Sequence, residues 1–225
     1  MTTPVTIATG ARALVVAKAP VAGRVKTRLG ADVGHAAAAD LAAAALLDTI
    51  AACAEAFGAD GCLIALSGDL ADAVRGDEIA RAIEGWSIAR QRGSTFAERL
   101  ANAHADVPPG GPVVQVGMDT PQLTATALHD AARGLDAHDA VLGPAEDGGW
   151  WVLGLCSPAG AAALHDVEMS TPTTYADTCS ALALSGLDVG TTGVLRDVDT
   201  VADAEVVARE APESRFAQAW RELAR

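Results

Sequence analysis

Hydrophobic and polar positions along the chain alternate in blocks that read as strands separated by helices. The apolar run Val113-Val114-Gln115-Val116 has the pattern of a buried parallel strand and breaks off in Gly117-Met118-Asp119-Thr120-Pro121. Gly117 lets the backbone turn, Pro121 stops the strand, and Asp119 is left at its C-terminal edge. Similar runs predict strands at 13–17, 61–67, 86–91 and 139–143, and a short edge strand over 187–194. The segment 150–155 follows a Gly148-Gly149 reversal and is expected to run antiparallel beside its predecessor. If that segment is extended, Trp150 and Trp151 point to opposite faces, one into the core and the other free to wall a pocket.

Between the strands lie helical patterns. The longest, 35–57, is rich in Ala and Leu and is stopped by Gly58. Weaker patterns predict helices over 71–83, 124–135, 171–184, 201–210 and 213–223. Ser94 or Thr95 caps a helix running through Ala105, with Glu98 reaching back. Residues 1–10 are polar and expected to fray. Strands alternating with helices imply an α/β fold, a single domain over residues 1–225 whose mainly parallel mixed sheet is covered by helices on both faces. No repeat, low-complexity tract or linker interrupts it.

Composition changes this picture mainly through charge. Sixteen basic residues face 29 acidic ones, a net charge of −13, and such a surface repels nucleic acid and anionic membranes. It would also repel a nucleotide unless the site supplies positive charge. The first 31 residues contain no acid but hold Arg12, Lys18, Arg24, Lys26 and Arg28, and Lys18 and Lys26 are the only lysines in the chain. With Arg at the other fourteen basic positions, the two flexible point charges suit a phosphate. Gly23 in the same loop permits backbone amides to approach an anion. Neither a Walker loop nor a G-x-G-x-x-G follows the first strand, and a solvated basic loop is the alternative.

The other polar clusters are acidic. Asp119 can hold a hard divalent cation at a strand edge, where open α/β sheets bind ligands, or can simply cap a turn. Glu146-Asp147-Gly148-Gly149 is in part a hairpin turn, which explains Asp147 better than Glu146. In Asp197-Val198-Asp199-Thr200 the two carboxylates share one face of an extended segment, or Asp199 or Thr200 caps the following helix. The segment lacks the rest of an EF-hand loop, and it stands too late in the chain for the aspartyl nucleophile of a dehalogenase-type phosphatase. The four cysteines form no C-x-x-C pair and no leader precedes them, so reduced thiols and a cytoplasmic location are expected. The five histidines have no metal-ligand spacing and read as surface or helix-face residues. Asp40 and Asp48 interrupt the longest apolar helix, which argues against a membrane span.

Four blocks follow the order and spacing of a known family: Lys18-x-Pro20-x-x-Gly23-x-x-Lys26-Thr27-Arg28-Leu29, Gly117-x-Asp119-x-Pro121-x-Leu123, residues 142–150 from Leu142 to Trp150, and Asp197-Val198-Asp199-Thr200. The chain resembles the bacterial GT-A-like proteins known as arsenosugar-biosynthesis-type glycosyltransferases. More distantly it is similar to the molybdenum-cofactor and phospholactate guanylyltransferases. The resemblance implies a nucleotide-diphospho-sugar transferase fold, Asp119 and Asp199 as ligands of Mg²⁺ or Mn²⁺, and Lys26 and Arg28 on a phosphate loop, beside which the residues themselves add Lys18. It also implies that Gln91 and Gly93 approach the nucleobase. Thr95-Phe96-Ala97 replaces the family's Asp-Leu-Gly and Trp150 its Tyr, which bear on base selectivity and on the acceptor pocket.

The leading expectation is a metal-dependent glycosyltransferase taking a nucleotide sugar and a small-molecule acceptor. Lys26 and Arg28 would neutralise the leaving diphosphate, and Glu146 or Asp147 would position or deprotonate the acceptor hydroxyl. The alternatives are a nucleotidyltransferase releasing pyrophosphate from a nucleoside triphosphate and a nucleotide-binding protein without catalysis. A homo-oligomer is compatible with all three.

Overall fold

The computed structural model describes residues 10–223, so the N-terminal run expected to fray lies, Gly10 apart, outside the described residues. The chain enters the core as β1 (Arg12–Lys18), passes through the basic loop and forms two consecutive helices, α1 (Thr27–Val33) and α2 (His35–Phe57). Then come β2 (Cys62–Ser67), α3 (Gly76–Ala82), β3 (Ser87–Arg90), α4 (Phe96–Ala105) and β4 (Val113–Val116). The second half holds α5 (Ala125–Gly134), β5 (Ala140–Pro144), β6 (Trp150–Leu155), α6 (Thr174–Leu184), β7 (Val189–Thr191), α7 (Val201–Glu210) and α8 (Arg215–Leu223).

The seven strands form one sheet in the order β3-β2-β1-β4-β6-β5-β7. Every pairing is parallel except those of β6, which runs antiparallel between β4 and β5 as the Gly-Gly reversal requires. Alternate residues of β1 serve opposite faces: Ala13, Val15 and Ala17 join the core under α2 and α5, while Leu14 and Val16 join the core under α4. A third cluster packs α1, α7 and α8 onto the outer flank of α2. Burial of the sheet on both faces explains why its strands read as continuous apolar runs.

The helix α2 is long and apolar enough to cross a membrane by length and composition alone, so two aspartates do not exclude a span. Here most of that helix is packed, and both acids are paired. Asp40 receives a forked ion pair from Arg75, and Asp48 accepts the backbone amides of Arg215 and Phe216 at the start of α8.

Local signals match local outcomes. Thr95 caps α4 in a capping box with Glu98, and Thr200 caps α7 in another with Asp203. Four expectations shift. The residues from Thr27 onward form α1, because Lys26 in a left-handed conformation (φ 45°) turns the loop into a new helix that the sequence pattern presents as loop. The pattern over 71–83 yields a 3-10 turn at Leu70–Asp72 and the shorter α3. Residues Pro158–Asp166 coil into consecutive 3-10 turns with no forewarning in the periodicity. Finally, His104 sits on α4 as a helix residue but is fully buried rather than at the surface.

Burial lowers the pKa of His104 to about 4, although the hydrogen bond that its Nε2 donates to the Gln115 amide oxygen works the other way. The folded chain therefore holds this imidazole neutral, whereas the unfolded chain protonates it near the ordinary value. Stability present above about pH 6.5 is lost as the pH falls toward 4, by at most about 3 kcal/mol. In a proton NMR titration one histidine should remain neutral down to pH 5; titration of all five near pH 6.5 would contradict this burial.

Candidate active site

The site forms where β1, β4 and β5 end and β6 begins. The loop after β4 carries Met118, Asp119 and Thr120, and a strap from the far end of the chain is laid against it. Leu195 bridges to Ala145 beyond β5, the amide of Val198 donates to the Asp119 carbonyl at 3.0 Å, and Gln122 Nε2 donates to the Arg196 carbonyl at 2.7 Å. Val198 is buried among α1 and α7, so its neighbours Asp197 and Asp199 are turned back toward Asp119.

Lys26 closes the arrangement. Its ammonium lies 2.7 Å from Asp119 Oδ1 and 3.0 Å from Asp199 Oδ1, and Arg28 adds a contact of 2.6 Å to Asp199 Oδ2. Only 8% of the Lys26 side chain is exposed. Burial pulls its pKa down, but Asp119 and Asp199 overrule burial and the value is raised above the ordinary one, so the group is cationic. Because Thr200 caps α7, Asp199 is released from capping to take part in this bridge.

Two clefts meet at Asp119. The first is basic, about 630 Å³ to its mouth, and lined by Lys18, Arg24, Lys26 and Arg28 together with Asp199. Among the described residues Lys18 and Arg24 have no carboxylate partner. The second cleft, about 690 Å³, lies over β4 and β6 and is lined by Asp119, Asp147 and Asp197 opposite Phe96, Trp150 and Met169. Trp151 is buried in the core and Trp150 is half-buried, yet both line this cleft, so the expected division between core and wall is only partial. Burial raises the carboxyl of Asp197 to about 7, helped by Asp119 and opposed by Lys26.

The other sequence candidates fall elsewhere. Asp147 reaches the second cleft while its Oδ1 accepts the Gly149 amide at 2.8 Å, so it is at once a turn residue and a cleft residue. Glu146 lines neither cleft and is ion-paired to Arg196, which also holds Asp203 at 3.0 Å. Gln91 spends both amide hydrogens on the carbonyls of Ala17 and Ala65 at 2.8 and 2.9 Å, clamping the ends of β1 and β2. Gly93 (φ 126°) leaves no room for a side chain, because a Cβ there would stand 2.7 Å from Glu98. Gly23 forms the turn before the basic cleft without lining it. Residues the sequence reading did not single out are Gln115 and Thr120; a polar residue inside the run 113–116 was the available signal for the first.

The carboxylates of Asp119 and Asp199 are hard oxygen donors that already share one cation, and Asp197 beside them makes no side-chain hydrogen bond among the described residues. Their chemistry fits Mg²⁺ or Mn²⁺. No group of three acidic, His or Cys side chains is arranged as a ready-made metal site among the described residues.

The family model described as "Uncharacterized protein conserved in bacteria (DUF2064)" matches residues 49–171, more than half of the chain. The chain belongs to the DUF2064 family. No curated protein matches it. A solved structure from Desulfovibrio desulfuricans G20, whose name assigns it provisionally to the nucleotide-diphospho-sugar transferases, is 25% identical; the match covers 95% of this chain and 94% of that one with a TM-score of 0.79. Rv0371c from Mycobacterium tuberculosis H37Rv, solved in complex with manganese, is 19% identical over 89% of this chain and 99% of its own, with a TM-score of 0.53. The 4-diphosphocytidyl-2C-methyl-D-erythritol synthase of Anaerococcus prevotii DSM 20548 is 12% identical over 91% and 100%, with a TM-score of 0.59. The DUF2064 chain thus has the nucleotide-diphospho-sugar transferase-like fold that its motifs imply.

A double-mutant cycle tests the bridge. Lys26→Met leaves Asp119 uncompensated and Asp199 held by Arg28 alone, and should cost about 1–3 kcal/mol in urea unfolding, between the values for exposed and buried pairs. Adding Asp119→Asn should restore part of that loss; strict additivity would show that the bridge contributes no coupling.

Proposed function

We propose that the protein is a divalent-metal-dependent glycosyltransferase that moves a sugar from a nucleotide-diphospho-sugar donor to a small acceptor. The observation that supports this reading most is the meeting of a basic and an acidic cleft at one carboxylate, Asp119. A leaving diphosphate suits the first, and an acceptor that must lose a proton suits the second. The name carried by the Desulfovibrio structure and the resemblance to arsenosugar-type enzymes point the same way.

In this reading the diphosphate lies against Lys18, Arg24 and Arg28, which neutralise the charge that grows as the donor bond breaks. Asp119 and Asp199 would hold Mg²⁺ or Mn²⁺, a Lewis acid that shares that charge. Lys26 holds both carboxylates to one point. Asp147 accepts the acceptor's proton as its oxygen bonds to the anomeric carbon. Glu146, tied to Arg196, anchors the strap rather than acting on substrate. Transfer of a nucleotide to a phosphorylated acceptor is disfavoured by Asp147, which lines the second cleft without a cation partner among the described residues.

Asp119→Ala should lower the release of nucleoside diphosphate from nucleotide sugars by about 100-fold or more, while circular dichroism keeps the parent's form and stability falls by no more than the loss of one Lys26 partner explains, about 1–3 kcal/mol. Near-normal turnover by that variant would refute the assignment. Incubation of the parent with nucleoside triphosphates should yield no pyrophosphate, and steady pyrophosphate release would establish nucleotidyl transfer instead.

A further inference from the structure

The second cleft is more particular than a generic acceptor site. The chain has only eight aromatic residues, and three of them, Phe96, Trp150 and Trp151, line this one cleft. Phe96 is 48% exposed at the first position of α4, an unfavourable place for an aromatic ring that covers nothing. Both indole N–H groups are spent inside the protein, Trp150 on Thr178 Oγ1 at 3.1 Å and Trp151 on the Gly193 carbonyl at 2.8 Å. The tryptophans can therefore offer an occupant ring carbon and nothing polar.

The polar lining is equally selective. Asp119, Asp147 and Asp197 face the space, and among the described residues no Lys, Arg or His does. Asp119 shares the Lys26 ammonium, but Asp147 has no cation partner among the described residues and disfavours an anion there, in contrast to the neighbouring basic cleft. At the base, Gln115 is 2% exposed, its amide oxygen lies 3.3 Å from His104 Nε2, and its amide nitrogen has no partner among the described residues. Thr120 is equally buried and its hydroxyl has no partner among the described residues. A buried hydroxyl without a partner is costly, and Thr120 lines the cleft beside Gln115, so a ligand hydroxyl or amino group would satisfy the one and pair with the amide of the other.

We propose that the acceptor is an aromatic or similarly flat alcohol or amine, uncharged or cationic, whose ring rests on Phe96 and Trp150 and whose nucleophilic O–H or N–H meets Gln115, Thr120 and the carboxylates. The inference rests on the glycosyl-transfer reading and names its acceptor. The acceptor oxygen or nitrogen forms a bond to the sugar's anomeric carbon, the bond from that carbon to the diphosphate breaks with its electron pair, and the acceptor proton passes to Asp147.

Benzyl alcohol, benzylamine and benzyl phosphate present one ring with three charges. Their binding can be measured by ligand-observed NMR in excess inorganic phosphate, which occupies the basic cleft, and nucleoside diphosphate binding separately by thermal shift with uridine and guanosine diphosphate plus Mn²⁺. The alcohol and the amine should bind at least about tenfold more tightly than the phosphate, and Phe96→Ala should weaken them about tenfold, the size of one aromatic contact. The same variant should keep the nucleoside diphosphate shift of the parent. Tighter binding of benzyl phosphate, or unchanged benzyl alcohol and benzylamine binding in Phe96→Ala, would overturn the proposal. Loss of the nucleoside diphosphate shift in Phe96→Ala would also overturn it, because the cleft would then hold the donor's base. If the parent shows no nucleoside diphosphate shift yet ranks the benzyl ligands as stated, the donor reading fails and the ligand class stands.

Discussion

A single ammonium group, that of Lys26, holds together three parts of the chain that are far apart in sequence. It contacts Asp119 after the central strand and Asp199 in the strap before α7, while its own left-handed backbone starts α1. Removing an ammonium from water costs free energy, and here that cost is offset only because two carboxylates converge on it. The convergence in turn depends on backbone bonds from Val198 to Asp119 and on Leu195 beside Ala145, which lay the strap across the strand ends. The rim is therefore one coupled unit rather than a set of separately placed side chains.

That coupling lets a molecule of net charge −13 present opposite charges on either side of one residue. On the β1 side, Lys18 and Arg24 are left without carboxylate partners because Lys26 and Arg28 engage the rim acids. On the β6 side the acids outnumber any cation, and the antiparallel turn returns the chain so that Trp150 faces the same space as Phe96. Gly148 makes this return possible: its φ is 90°, and a Cβ would stand 2.2 Å from the Pro172 carbonyl. A polar base formed by Gln115 and Thr120 then sits beneath an apolar wall.

Much of the fold was legible because its signals are local. The bounds of α2 follow from an Ala-rich run between Gly34 and Gly58, and the caps at Thr95 and Thr200 follow from acids three residues on. The helix α1 was obscured because Gly30 lies within it and Lys26 begins it from an unusual backbone region. In the site, charge clustering and motif resemblance pointed to Lys26, Asp119 and Asp199, yet nothing in the spacing shows that one ammonium spans both acids. Long-range bonds are likewise invisible in a linear pattern, which is why Gln91 reads as a ligand residue but clamps strand ends, and Glu146 as a base but pairs with Arg196. His104 lies on a helix of ordinary amphipathic pattern, and only the packing of α4 on β4 makes it a core residue.

The central claim is that the bridged rim hosts a polyanion on its basic side. A crystal structure of the protein soaked with a nucleoside diphosphate and Mn²⁺ tests this most directly. The account predicts the diphosphate across Lys18, Arg24 and Arg28, with anomalous scattering from manganese beside Asp119 and Asp199. A diphosphate seated instead against Phe96 and Trp150, or manganese remote from both aspartates, would contradict it.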